Sequence, residues 1–183
     1  MKYNLSVKKQ LLLLFIVIVI GFIGLANADG VVIQNIDFNI NKLKKLNQCM
    51  SCDLRSTNFN GANLTGANLT GANFIEANLI GTNFSKANLE GASLYGSNLE
   101  RANLDGASLF AANLFAVRLK DALLIGANLT AADLTKADLT AVNLAGANLT
   151  NSNLRGAILE GAILDGAVFC NTRTPWGIDN SGC

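Results

Sequence analysis

Residues 62–71 read Ala62-Asn63-Leu64-Thr65-Gly66-Ala67-Asn68-Leu69-Thr70-Gly71, two copies of one five-residue word. The word continues in both directions. From Cys52 to Asn171 it recurs with no insertion or deletion, so that Leu54, Phe59, Leu64, Leu69, Phe74 and every fifth residue to Phe169 is Leu or Phe. Two residues before each of these 24 centres stands a small side chain, Ala at 17 of them; one residue before stands Asn at 14 and Asp at three. Two residues after, Gly recurs at 12 of the 23 positions from Ser56 to Gly166. A period of five matches neither the helical 3.6 nor the strand period of two. Asn and Asp favour turns through hydrogen bonds to nearby backbone, and Gly accepts positive φ. A chain bending at such residues every five positions is a coil of short flat sides. With the centre and the small residue facing inward, one coil cannot bury its apolar face alone, and stacking on its neighbours does so.

The composition of the whole chain narrows the chemistry. Of 183 residues 29 are Leu, 24 Ala and 24 Asn, and none is His. Without imidazole the Ser-His and Cys-His nucleophile pairs, His metal sites and the usual near-neutral general base are excluded. No phosphate loop, paired-carboxylate spacing or zinc-ligand set is present, so neither an enzymatic activity nor a cofactor is expected. The Asn-x-Thr triplets such as Asn63-Leu64-Thr65 match the glycosylation acceptor pattern, but the repeat generates them automatically.

The N-terminal 28 residues read as a secretory signal peptide. Lys2, Lys8 and Lys9 precede an apolar stretch from Leu11 to Leu25, and Ala26-Asn27-Ala28 is a small-x-small site with cleavage expected after Ala28. An uncleaved anchor is the alternative, for which about 20 apolar residues are normally needed. Cleavage removes three lysines and no acid, taking the net charge from +1 to −2. Neither a basic surface for nucleic acid nor a strongly acidic one results. The expected location is exported, periplasmic or secreted, a thylakoid-type lumen included, with no stable membrane insertion once the leader is gone.

Residues 29–51 are expected to close the first coil. Ile40, Leu43 and Leu46 share one stripe of a helix over residues 39–48, with Lys42, Lys44 and Lys45 outside it and Asn39 as N-cap. Val31 to Phe38 is expected as a strand. At the other end Phe169 to Cys183 breaks the repeat and holds the one Pro and the one Trp, and Trp176 is expected to cover the last coil.

The repeated word resembles the A(D/N)LXX pentapeptide repeat family over about two-thirds of the chain, residues 52–171. The resemblance implies an all-β fold, a right-handed quadrilateral β-helix with four pentapeptides per coil. Six coils follow from 24 repeats, stacked at about 4.8 Å. It also constrains the cysteines, Cys49 and Cys52 at one end and Cys170 and Cys183 at the other. Four cysteines allow three pairings, and a bridge needs Cα atoms within about 7 Å. In a stack of this fold the two ends cannot meet, which implies Cys49–Cys52 and Cys170–Cys183. The tail after Phe169 is similar to the end module of exported members, so residues 172–183 are expected as a disulfide-closed cap. Free thiols and a redox or metal-binding Cys49-Met50-Ser51-Cys52 are the alternatives.

With a 20-residue coil, individual ladders can be read. The residue following the centre on one wall runs Arg55, Ile75, Tyr95, Phe115, Thr135, Arg155, and Phe110 lies round the corner from Phe115. Ile75, Tyr95, Phe110 and Phe115 form the candidate contact for an unidentified protein partner; the alternative is a stack that only steadies neighbouring coils. Glu100 and Lys120 are ladder neighbours, and Arg118, Lys120 and Asp121 form a solvated ion cluster. Leu123, Ile125, Ile158, Ile163 and Val168 replace polar outward residues and are expected beneath the C-terminal segment. The function expected is a non-catalytic, exported structural or protein-interaction module. Some family members are cytoplasmic DNA mimics that bind topoisomerases, which is the alternative. That role needs a strongly acidic coil stack, whereas the repeat region carries ten acids against seven bases.

Overall fold

The computed structural model describes residues 25–26, 32–33 and 36–183. The chain forms two compact units, Met1–Ile36 and Asp37–Cys183. In the first, β1 (Leu25–Ala26) and β2 (Val32–Ile33) pair antiparallel, Leu25 opposite Ile33 and Ala26 opposite Val32. The remainder of the expected signal peptide, from its lysines to Gly24 and again at Asn27-Ala28, lies outside the described residues.

Of the strand expected over Val31–Phe38, Val32–Ile33 is strand, whereas residues 36–38 belong to helix α1, which spans Ile36–Leu46. Ile36, Ile40 and Leu43 stand at i, i+4 and i+7, so the apolar period starts a turn earlier than Asn39. Asn39 is therefore not the N-cap. It sits within the helix and its Nδ2 donates to the Asp53 carbonyl at 3.1 Å. Leu43 is buried in the common core and Ile40 packs against it, whereas Leu46, assigned to the same stripe, is exposed. The helix stops at Asn47, whose φ of 52° is the left-handed conformation that Asn tolerates at a helix end. Asn47 then ties the helix to the coils: its Nδ2 donates to the Thr65 carbonyl at 3.0 Å, and its own carbonyl accepts from the Asn68 N–H at 3.1 Å. Lys44 and Lys45 occupy the last turn, where cations complement the helix dipole.

Beyond α1 each residue preceding a centre bridges in parallel to the residue 20 positions on, from Gln48↔Asn68 to Asn153↔Arg173. Four five-residue words therefore make one coil, and the architecture is a quadrilateral β-helix. The bonding is regular at every side. Leu64 N–H donates to the Asn83 carbonyl at 2.7 Å, Asn83 N–H returns to the Ala62 carbonyl at 2.9 Å, and Gly66 N–H reaches the Ser85 carbonyl at 2.8 Å. Each corner is a turn closed by an i→i−3 bond, Ala67 N–H to Leu64 C=O at 3.1 Å, whose third residue needs positive φ. Every fifth residue from Ser51 to Asn171 takes that conformation, with φ between 52° and 68°, whether it is Gly or not. Asn before the centre closes a second, side-chain turn: Asn63 Oδ1 accepts the Thr65 N–H at 3.1 Å, and the pattern repeats around the stack.

Inside, the centres from Leu54 to Leu154 and the small residues between them are buried, except Ala62, which is half-buried. Phe74 lies edge-on between Phe59 and Phe84, with ring centroids 6.2 and 6.1 Å apart, so phenylalanines from three different sides interlock near the N-terminal end. The few inward hydroxyls are satisfied. Thr82 Oγ1 donates to the Phe59 carbonyl at 2.8 Å and Ser97 Oγ to the Leu94 carbonyl at 2.7 Å.

The C-terminal end departs from the expected cover. β3 (Thr172–Thr174) extends the ladder on the side of Asn153, and β4 (Gly177–Asp179) folds back on it antiparallel, Arg173 opposite Ile178. Thr172 and Thr174 point inward and are buried, while Trp176 occupies the hairpin turn and is 63% exposed. Trp176 therefore does not cover the last coil. Pro175-Trp176 is used to reverse the chain, and small Thr side chains continue the inward rows.

Candidate functional site

The cysteines are joined as Cys49–Cys52 and Cys170–Cys183, with Cα atoms 5.3 and 4.9 Å apart, and no free cysteine remains. Cys49 and Cys52 are buried beside Leu54, so this bridge is part of the core rather than an accessible redox pair. At the other end Gly182 N–H donates to the Phe169 carbonyl at 2.7 Å. A Cβ on Gly182 would stand 2.7 Å from the Phe169 nitrogen, so only Gly fits where the tail seats on the coil.

On the wall following the centres, Tyr95 and Phe115 stack with ring centroids 5.4 Å apart and planes within 5°. The Lys136 Nζ lies 5.6 Å from the Phe115 centroid on the cation-attracting face of the ring. Of the four residues singled out on this wall and corner, Tyr95 (42%) and Phe110 (45%) are exposed, and Ile75 and Phe115 are half-buried. The stack thus holds Tyr95 in one orientation, with much of the Phe115 ring already in contact.

Leu123, Ile125, Ile158 and Ile163 are exposed, and only Val168 of that group is half-buried. Val168 lies against Gly182 of the C-terminal segment as expected, but the four exposed residues are not beneath it, because the hairpin stands on the side of Asn153 and the last residues return towards Phe169. Sequence reasoning registered these residues by their broken pattern and misplaced the cover of all but Val168.

Charged groups are few, and two ion pairs form among the described residues. Arg55 forks onto Asp53, Nε to Oδ1 at 2.8 Å and Nη2 to Oδ2 at 2.7 Å. The Arg55 hydrogen bond holds the Asp53 carboxyl below the ordinary 3.8, against the opposing effect of burial. Asp138 is also lowered, first by the Thr140 hydroxyl and then, beyond its burial, by Lys120 and Arg118. Glu100 pairs with Arg118 rather than with Lys120. Among the described residues no group of His, Cys, Asp or Glu side chains could hold a metal, and no helix is long and apolar enough to cross a membrane.

Asp53 gives an expected pH response. A carboxyl whose folded pKa is depressed contributes stability that is present above its unfolded value and is lost as pH falls through the folded one. The melting temperature should therefore fall on acidification below 3.8. Asp53→Asn should melt lower at pH 7 and show a shallower acid limb between pH ~4 and ~2; an acid limb identical to the parent would remove Asp53 from the account.

One side-chain turn is rewired. Ile80 N–H donates to Asn60 Oδ1 of the preceding coil at 3.1 Å, and Asn78 Oδ1, which the word would place on that N–H, is buried without a partner among the described residues.

The family model for pentapeptide repeats matches eight copies, over residues 48–85, 72–109, 112–151 and 137–173. Among solved structures, the pentapeptide repeat protein Rfr23 from the cyanobacterium Cyanothece 51142 is 28% identical over 72% of this chain and 93% of its own, with a TM-score of 0.38. A pentapeptide repeat protein from the Arabidopsis thaliana thylakoid lumen is 37% identical over 50% of this chain and 64% of its own, TM-score 0.31. QnrB1, a plasmid-mediated fluoroquinolone resistance protein, is 16% identical over 74% and 80%, TM-score 0.42. No curated protein matches the sequence. With its five-residue ladder and a family match that runs from residue 48 to 173, the chain belongs to the pentapeptide repeat family.

Proposed function

We propose that this chain is a non-catalytic, exported interaction module that presents a stiff β-helical wall to a protein partner. The observation carrying it is the exposure of Tyr95 and Phe110, with Tyr95 held against Phe115 and Phe115 in turn under Lys136. Aromatic side chains fixed by their neighbours lose little entropy on contact and are enriched at binding hot spots. Export is supported by the leader and by disulfides that use all four cysteines, which persist in oxidising compartments. The residue-28 boundary of the leader, the capping role of residues 29–51 and the closing role of residues 172–183 belong to this same proposal. A DNA-mimicking role gains no support from this wall, whose ladder Arg55, Ile75, Tyr95, Phe115, Thr135, Arg155 contains no acid.

The test is photo-crosslinking from position 95 in an exporting host. A discrete adduct is expected, and it should disappear with Phe110→Ser while the unfolding free energy stays within about 0.5 kcal/mol of the parent, as for other surface changes. Adducts that survive Phe110→Ser unchanged would sink the proposed contact.

A further inference from the structure

The wall that carries Tyr95 has an arginine in the same ladder at each end of the stack, and the two differ in what they touch. In the first coil the word reads Asp53-Leu54-Arg55, and the Arg55 guanidinium forks onto the Asp53 carboxylate, Nε to Oδ1 at 2.8 Å and Nη2 to Oδ2 at 2.7 Å. In the last coil it reads Asn153-Leu154-Arg155. Asn153 is neutral, and its Oδ1 accepts the Arg155 N–H at 3.3 Å. The Arg155 guanidinium therefore finds no carboxylate in its own word. The two ion pairs among the described residues, Arg55–Asp53 and Arg118–Glu100, do not include it.

A second unpaired arginine stands beside it. Arg173 in β3 bridges to Asn153, which puts it one strand on and two residues across from Arg155, about 8 Å between Cα atoms at the usual strand spacing and rise. Residues opposed in an antiparallel pair share a face, so Arg173 and Ile178, both exposed, lie together on the outer face of the hairpin. Arg155 and Arg173 line one cleft of about 470 Å³ with Pro175 and Ile178, and no acid lines it. The nearby acids are engaged elsewhere. Asp179 is opposite the inward Thr172, on the other face, and its Oδ1 accepts the Ser181 N–H at 2.8 Å. Asp133, which precedes Asn153 in the ladder, accepts the Thr135 N–H at 3.0 Å.

Two guanidinium groups on one cleft with no counter-charge select an oxyanion, because each planar fork matches two oxygens at once. Arg55 and Asp53 are this chain's own example of the match. Ile178 is 66% exposed, and with Pro175 it offers apolar surface to the remainder of a ligand, in a cleft of the size that takes a small molecule. We infer that this cleft binds a small amphiphilic anion, a carboxylate or a phosphate ester, with its charged head between Arg155 and Arg173 and its apolar part on Pro175 and Ile178. The site is separate from the contact at Tyr95 and Phe110, and loss of that contact leaves it intact.

The test is a titration of the protein purified from an exporting host with its disulfides intact, followed by the arginine side-chain Nε–H resonances. Phenyl phosphate and phenylacetate are the probes, and benzyl alcohol is the neutral control. The signals of Arg155 and Arg173 should shift together and saturate in the millimolar range with at least one anion, while Arg101, exposed and outside the cleft, stays still. The anion that binds more tightly identifies the head as phosphate or carboxylate. Arg155→Gln and Arg173→Gln should each weaken that anion about tenfold or more, through loss of charge-assisted hydrogen bonds, with an unchanged circular dichroism spectrum. Ile178→Ser should weaken it several-fold and leave inorganic phosphate or acetate unaffected. Shifts that fail to saturate, shifts of equal size at Arg101, or equal binding of benzyl alcohol would overturn the inference. So would binding indifferent to either arginine substitution or to Ile178→Ser.

Discussion

Leu104→Ala is expected to destabilise the coil stack by about 2–5 kcal/mol, towards the upper part of that range. The side chain is fully buried at the centre of a middle coil, and its backbone is fixed on both sides: Phe84 in the preceding coil is bonded to Asn103 at 2.6 Å, and Leu104 itself to Leu123 at 2.7 Å. The surrounding ladder cannot slide inward without breaking bonds to two neighbouring coils, so the cavity persists rather than collapsing. Stability in a solenoid is nearly a sum of coil terms and nearest-neighbour terms, so a defect in the middle also weakens the coupling of the two halves. Denaturant unfolding should show a lower midpoint and a broader transition. Thr130→Ser, on the outward side of the same word, should shift stability by no more than about 0.5 kcal/mol. If Leu104→Ala melted with the parent, the inward direction of the centres would be wrong.

That direction was legible because the word repeats in phase. A Leu or Phe that recurs every fifth residue beside a small residue admits one inward pair per side, and the coil length of 20 then follows from the parallel bridges. Asn63 and its equivalents were readable for the same reason, since the side-chain bond to the N–H two residues on is local and needs no tertiary knowledge. The aromatic ladder was readable only in part. Spacing placed Tyr95 and Phe115 on one wall, but their stacking and the half-burial of Phe115 depend on rotamers and on Lys136 from the following coil.

The two ends were the least legible because there the repeat gives way to ordinary signals. Trp176 looked like cover because large apolar residues are usually buried, but it follows Pro175, and that dipeptide forms the hairpin turn that lets Thr172 and Thr174 extend the inner rows. Leu46 completed a helical stripe on paper, yet the helix ends at that residue and the left-handed Asn47 turns the chain away. Ile158 and Ile163 were noticed as departures from Asn. Whether such residues are covered depends on where the tail goes, and one disulfide-closed loop of the kind formed by Cys170 and Cys183 can cover only some of the sides.

Replacing Ala111, Ala116, Ala131 and Ala141 by Gly should stabilise the protein by about 2–3 kcal/mol in total, a direction opposite to the usual effect of Gly. These four alanines occupy the corner position with φ of 53°, 52°, 59° and 54°. An L-residue in that region is strained by roughly 1–2 kcal/mol, because Cβ crowds the following carbonyl, whereas Gly is not. Against this, Gly has more freedom to lose from the unfolded chain, about 0.5–1 kcal/mol relative to Ala. The balance at each corner favours Gly by several tenths to one kcal/mol, with near-additivity only for the separated corners, since Ala111 and Ala131 are neighbours in one ladder. The reverse change isolates the backbone component. At Gly126, φ is 63° and an added Cβ would meet nothing within 4 Å beyond its own chain neighbours, so Gly126→Ala should cost up to about 1 kcal/mol from the local backbone strain alone. Sequence alone left these corners ambiguous because the geometry demands positive φ at all of them, and the chain supplies Gly at only some. If the four alanine replacements lowered the melting temperature while Gly126→Ala left it unchanged, the corners would not carry the strain that their dihedral angles imply, and the regularity of the stack would have to rest on the ladder and the core alone.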